Sequence, residues 1–257
     1  MAKKAGLKAG DLVYKVDGVN ITKKTISEIQ NLVKGEKGTK VVLTIKRNGK
    51  NKKITVVRDE IVLKTIKYKI LEDDIGYIKI TQFEDMTVDQ FNFAVSSLQL
   101  DGIKKLVIDL RGNPGGLLSS VSEILDRLLP SDLLLSYIED KYGNRESYST
   151  EDDEEVDLPI VVLVNGNSAS ASELFTGAMK DYERATVIGT TTFGKGIVQG
   201  FVYFTDGGAL KITTAKYYTP SGVCIHKKGI EPDYVVEDDP DTKADEVLDY
   251  AVKFIKK

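Results

Sequence analysis

Between residues 75 and 189 short apolar runs alternate with helical patterns, and this alternation constrains the fold more than any other feature of the chain. IGYIKI (75–80), KKLVIDL (104–110), PIVVLVN (159–165) and ATVIG (185–189) read as strands, the middle two apolar enough to be buried on both faces. TVDQFNFAVSSLQL (87–100) places Phe91, Val95 and Leu98 on one side of a helix, and LLSSVSEILDRLL (117–129) reads as a second helix. Strands that alternate with helices return as parallel crossover units, with helices on both faces of one sheet. The predicted class is therefore α/β. Ligands of such sheets gather at the carboxyl ends of the strands, which singles out the loops after residues 110, 165 and 189.

A different rhythm precedes this core. DLVYKV (11–16) is strand-like, Ile26, Ile29, Leu32 and Val33 form a helical stripe, and two alternating strands, VVLTIKR and KKITVVR, flank the hairpin signal Asn48-Gly49. Two units are predicted, 1–62 and 63–257. At the other end KADEVLDYAVKFIKK spaces Val247, Tyr250, Ala251 and Phe254 as one apolar helical face, suited to cap the core or meet a partner subunit. The acidic run 151–155 reads as a solvated loop.

Composition closes off several function classes. The 36 basic and 39 acidic residues leave a net charge of -3, which asks for neither nucleic acid nor an anionic membrane. Cys224 and His226 are the only residues of their types, so no Cys/His metal site and no intrachain disulfide can form. His226 reads as part of a strand or turn. No cofactor motif and no metal site is predicted, and no stretch has the length of an apolar membrane span.

Each of the three loops carries unusual residues. Arg111-Gly112-Asn113-Pro114-Gly115-Gly116 reads either as a plain turn or as a donor loop, in which glycine lets a backbone N–H approach a substrate oxygen. In NGNSASASE, Ser170 stands where a strand gives way to a helix, so its hydroxyl can attack a carbonyl while the Ala171 amide steadies the oxyanion. The alternative is N-capping by Ser170 or Ser172, with Glu173 merely complementing the helix dipole. In TTFGKGIVQG, Lys195 sits between two glycines near Phe193 and Ile197. A serine nucleophile needs a base, and a lysine serves if burial disfavours its ammonium and lowers its pKa from about 10.4. An interior Lys195 is the expectation.

Taken together and in this order, SASASE, FGKG with Lys195 placed 25 residues after Ser170, Gln199, DLRGNPGG, LKITTAKYYTPSG and KGIEPDYVV resemble the C-terminal processing (tail-specific) peptidases, a family of Ser-Lys serine proteases. AGLKAGDLVYKVDGVNI and the elements after it resemble the distal part of a PDZ domain, N-terminally truncated because the loop that binds a ligand's carboxylate would precede Met1. The resemblance implies a crotonase- or Clp-protease-like core with a cap, cleavage of polypeptides with a free C-terminus at or near that terminus, a homodimer, and a periplasmic or extracytoplasmic address with membrane association through an upstream segment. It also implies roles: Ser170 as nucleophile, Lys195 as base, Gln199 as the residue that orients the lysine, and the Gly116 (or Gly115) and Ala171 amides as the oxyanion hole. Two rival readings are a PDZ-bearing scaffold that holds peptides without cutting them and an acyl-CoA enzyme of crotonase type.

Overall fold

The computed structural model describes residues 2–60, 63–72, 74–151 and 156–257, and it divides into two compact units, Met1–Leu63 and Lys64–Lys257. In the first unit β1 (Leu12–Val16), β2 (Val19–Asn20), α1 (Ile26–Val33), β3 (Lys40–Arg47) and β4 (Lys50–Val57) build an antiparallel sheet in the order β2-β1-β3-β4. The turn between β3 and β4 uses Asn48 and Gly49, both at positive φ, as the Asn-Gly signal requires. Helix α1 starts at a capping box made by Thr25 and Glu28. Val16, Ile21, Val41, Leu43, Ile45 and Ile54 close over a small core.

The second unit holds β5 (Ile66–Ile70), β6 (Ile75–Ile80), α2 (Thr87–Leu100), β7 (Lys105–Asp109), α3 (Leu118–Asp126), β8 (Leu134–Asp140), β9 (Arg145–Ser149), β10 (Ile160–Val164), α4 (Ala171–Asp181), β11 (Ala185–Gly189), β12 (Ile197–Tyr203), β13 (Ala209–Tyr218), β14 (Tyr234–Val235) and α5 (Glu246–Ile255). Its main sheet runs β14-β11-β10-β7-β6-β5, parallel except for the antiparallel edge strand β5. The class is α/β, as the alternation predicts.

Alternate residues of β7 and β10 explain the layers. Leu106, Ile108, Ile160, Val162 and Val164 face α2, α3 and α4 in the larger core, whereas Val107, Val161 and Leu163 face α5. The C-terminal helix therefore covers the sheet face that the other helices leave open, using Val247, Ala251, Val252 and Ile255. A second sheet, β12-β13-β8-β9, is wholly antiparallel. Residues 152–155 of the acidic run lie outside the described residues. Among the described residues no helix is long and apolar enough to cross a membrane.

Candidate active site

Strand β10 ends at Val164, the chain turns through residues 165–170, and α4 begins at Ala171. The three alternating serines of this turn have different surroundings. Ser168 is fully buried, and its hydroxyl donates to the Leu110 carbonyl at 2.9 Å and accepts from the Asn165 amide at 3.0 Å. Ser172 is also fully buried and donates to the Asn113 carbonyl at 3.0 Å. Both serines thus tie this turn to the loop after β7. Ser170 alone is partly exposed, and it adopts φ 58°, ψ -117°, a conformation that costs a non-glycine residue on the order of 1–3 kcal/mol. Ser170 and Glu173 stand in a capping-box arrangement, whose firm half is Glu173 Oε2 accepting from the Ser170 amide at 2.8 Å. The Glu173 amide itself donates to the Ser170 carbonyl, also at 2.8 Å.

Glu173 does more than complement the helix dipole. It is fully buried and carries four hydrogen bonds. Besides the Ser170 amide, Oε2 accepts from the Lys195 amide at 2.8 Å, while Oε1 accepts from the Gly194 amide at 2.6 Å and the Thr192 hydroxyl at 2.7 Å. One carboxylate oxygen therefore receives the main-chain N–H of both Ser170 and Lys195, and the two nitrogens lie no further apart than two 2.8 Å bonds. Several neutral donors and the N-terminal end of α4 take the place of water around this buried side chain.

Lys195 differs from the expected interior base: its residue is exposed. The reason lies in its neighbours. A β-carbon on Gly194 would stand 3.1 Å from the Lys228 amide, and one on Gly196 would collide with the His226 backbone. Both flanking glycines press the main chain against residues 225–229, which leaves outward space for the lysine side chain. Gln199 is exposed on β12, next to a β-bulge between Val198 and Gln199. The structure brings the Ser170 and Lys195 backbones together, but no hydrogen bond joins the side chains of Ser170, Lys195 and Gln199 among the described residues. His226 lies in a turn, as expected, with a buried Nδ1 that has no hydrogen-bond partner among the described residues.

The donor loop is held by Asn113, another residue that sequence reasoning missed. Fully buried, Asn113 donates from Nδ2 to the Ile80 carbonyl at 3.1 Å, and its Oδ1 accepts from the Gly115 amide at 2.9 Å. Its carbonyl also accepts from the Ala169 amide at 3.0 Å. Gly115 (φ 103°) leaves no room for a side chain: a β-carbon would stand 2.7 Å from the Ala169 carbonyl oxygen, 2.9 Å from Ser170 Cβ and 3.0 Å from the Ala171 nitrogen. Gly116 (φ 148°) is bridged to Phe83. Among the described residues neither the Gly116 nor the Ala171 N–H donates to any group of the chain. The glycine loop thus passes directly beside Ser170 with two donors unspent.

Beneath the loop lies a charged cluster. The buried Asp109 carboxylate accepts from Tyr77 Oη at 2.6 Å and Lys79 Nζ at 3.0 Å, and Arg111 bridges it to Asp245 with bonds of 2.7 and 2.9 Å to the second carboxylate. Burial alone would push the Asp109 carboxyl up, but hydrogen bonds and charge from Arg111, aided by Tyr77 and Lys79, hold it below its ordinary value. Asp245 is lowered chiefly by its hydrogen bonds to Arg111. Since Asp245 is the N-cap of α5, accepting from the Leu248 amide at 2.9 Å, the cluster ties the C-terminal helix to the base of the donor loop.

A serine in a left-handed turn at a helix mouth, flanked by unspent amides, is the layout of a site for acyl transfer. Residues 74–236 match Peptidase family S41, and residues 1–47 match a PDZ domain. The chain belongs to peptidase family S41. It is 43% identical over 235 residues to a "Probable CtpA-like serine protease" of Staphylococcus haemolyticus, covering 90% of this chain and 47% of that protein. It is 43% identical over 243 residues to a carboxy-terminal-processing protease of Bartonella bacilliformis, covering 92% of this chain and 56% of the relative. Among solved structures, the photosystem II D1 C-terminal processing protease superposes with a TM-score of 0.63 at 31% identity, covering 92% of this chain and 65% of that one. The chain spans about half the length of the curated relatives it matches.

Proposed function

We propose that the chain is a serine endopeptidase that cuts polypeptides at or near their carboxyl termini through an acyl-enzyme, outside the cytoplasm. Ser170 Oγ is the nucleophile. Lys195 takes its proton, Gln199 orients the amine, and the Gly116 and Ala171 amides hold the oxyanion until water releases the acyl group. The observation that carries this reading is the shared Glu173 oxygen, which sets the Ser170 and Lys195 backbones beside each other while leaving the amides at the glycine loop unspent. An exposed lysine side chain on a pinned backbone suits a base that engages only with substrate present. A polypeptide lying over it excludes water and disfavours the ammonium form, and the catalytic hydrogen bond tightens in the complex.

Ser170→Gly is the most informative test, because it removes the hydroxyl and also relieves the positive φ. Hydrolysis of an unfolded polypeptide should vanish while stability to denaturant rises by about 1 kcal/mol. Lys195→Ala should abolish turnover with the fold intact, and the wild-type rate should climb as pH rises from about 5 to 9. Retained hydrolysis in Ser170→Gly, or a flat pH profile, rejects the Ser-Lys assignment.

A further inference from the structure

The chain's net charge of -3 conceals two opposite charges. Residues 1–63 hold 13 lysines and 2 arginines against 6 acidic residues, a net charge of +9, while residues 64–257 hold 21 basic and 33 acidic residues, a net charge of -12. A charged surface acts on charges within about a Debye length, roughly 8 Å at physiological ionic strength, so each unit answers to such a surface by its own charge. The composition of the whole chain therefore understates the smaller unit.

Few of the positive charges in this unit are neutralised within it. Among the described residues Lys24 pairs with Glu28, and Lys37 with Asp59 and Glu60. Both arginines are taken. Arg47 binds both oxygens of Asp11 at 2.6 Å and the Gly6 carbonyl at 2.8 Å, and Arg58 donates to the carbonyls of Leu32, Val33 and Lys40. No other lysine of the unit has an ion pair among the described residues.

Strand pairing collects several of these lysines on the sheet face opposite the core. Val16, Leu43 and Ile54 lie side by side on β1, β3 and β4 and face the core, so their neighbours in the next row, Lys15, Thr44 and Lys53, face away. In the following row of that face, Lys46 stands between Leu12 and Asn51. Thr44 is only 7% exposed, as expected where the aliphatic stems of two lysines lie over one short side chain. Tyr14, Lys15, Thr44, Asn51, Lys52 and Lys53 line an open basin here. Asp17 lines it too, but its carboxylate accepts from the Val42 amide at 2.7 Å. Leu12, beside Lys46, is 68% exposed.

We propose that this face of the small unit docks on the surface of an anionic lipid bilayer, with Lys15, Lys46, Lys52 and Lys53 against the headgroups and Leu12 reaching below them. The chemistry of the face selects this occupant. Lysine ammoniums are point charges suited to a diffuse surface potential, and the two planar guanidiniums that would read a phosphate in bidentate fashion are already held inside the unit. Tyr14 is the only aromatic residue of the unit, so there is no platform on which nucleic-acid bases could stack. An exposed leucine within a lysine cluster suits the boundary between headgroups and acyl chains.

The test is co-sedimentation of the full chain with vesicles of phosphatidylcholine alone and of equal parts phosphatidylglycerol and phosphatidylcholine. Binding should require phosphatidylglycerol and fall steeply as salt is added. Lys46→Gln with Lys53→Gln should weaken it roughly thirtyfold, the combined effect of two lysines near such a surface. Lys23→Gln with Lys34→Gln removes the same charge beside α1 and should change binding much less. Exposed lysines are replaced with little effect on the fold, and unchanged circular dichroism of both variants checks this. Leu12→Ser should weaken vesicle binding while leaving the net charge untouched. Equal binding to both kinds of vesicle, equal loss in the two lysine variants, or an unaffected Leu12→Ser overturns docking through this face. A short DNA duplex bound more tightly than the vesicles at equal phosphate concentration overturns the choice of a bilayer. No step of hydrolysis is measured, so the outcome is independent of the peptidase reading.

Discussion

Glu173 stands at the centre of the site at the scale of single residues, fully buried and bonded to both the serine turn and the lysine loop. Among the described residues its side chain has no cationic partner, and four donors replace water around it. Glu173→Gln keeps the shape but turns an acceptor into a donor facing other donors, leaving at least one buried N–H unpaired. The expected loss of stability is about 1–3 kcal/mol. Because the Ser170 and Lys195 amides lose their common anchor, kcat should fall on the order of a hundredfold with KM much less changed, the pattern of misplaced reacting groups. Denaturant titration and steady-state kinetics on the same variant check both, and an unchanged kcat would show that the carboxylate serves the fold alone. The sequence offered a faint signal here, since Glu three residues after a serine is the capping-box spacing. That spacing says nothing of a loop some twenty residues downstream folding back onto the same carboxylate.

The consequential link between elements is the one from α5 to the donor loop through Asp245, Arg111 and Asp109. Both carboxyls are held below their ordinary range in the folded protein, so their contribution is present above that range and is lost as pH falls through the depressed values. Asp245→Asn should therefore destabilise the larger unit at neutral pH and cost less and less as the solution is acidified, until variant and wild type converge. With the Asp245 side chain 43% exposed, the neutral-pH difference should be only about 1 kcal/mol. Chemical denaturation across pH would show it, and a gap that widens in acid would refute the assignment. Periodicity announced α5 and its apolar face, yet left open whether that face met the core or a partner. It meets the sheet, because α2, α3 and α4 all pack on the opposite side.

The whole chain carries two units of very different size, each with its own buried cluster. A unit of some sixty residues buries too small a fraction of its surface to be more than marginally stable, so calorimetry should resolve two transitions, the first belonging to residues 1–63. Ile45→Ala should lower the first and Ile108→Ala the second, each by about 2–5 kcal/mol, and a single transition moved by both would mean that the units unfold as one. Strand and helix periods, the Asn48-Gly49 turn and the glycines of the donor loop are local in cause, and for that reason the α/β class, the order of elements and the three loops at the strand ends were determined by sequence alone. Tertiary structure decided what depends on chain segments meeting from far apart. Among these outcomes are the burial of Ser168 and Ser172 that leaves Ser170 as the accessible hydroxyl, the capture of two loops by Glu173, the antiparallel edge β5, and the outward path of Lys195. A lysine beside apolar residues in sequence reads as interior, but burial is set by what packs against its backbone, and here that is the segment 225–229, contributed from thirty residues further along the chain.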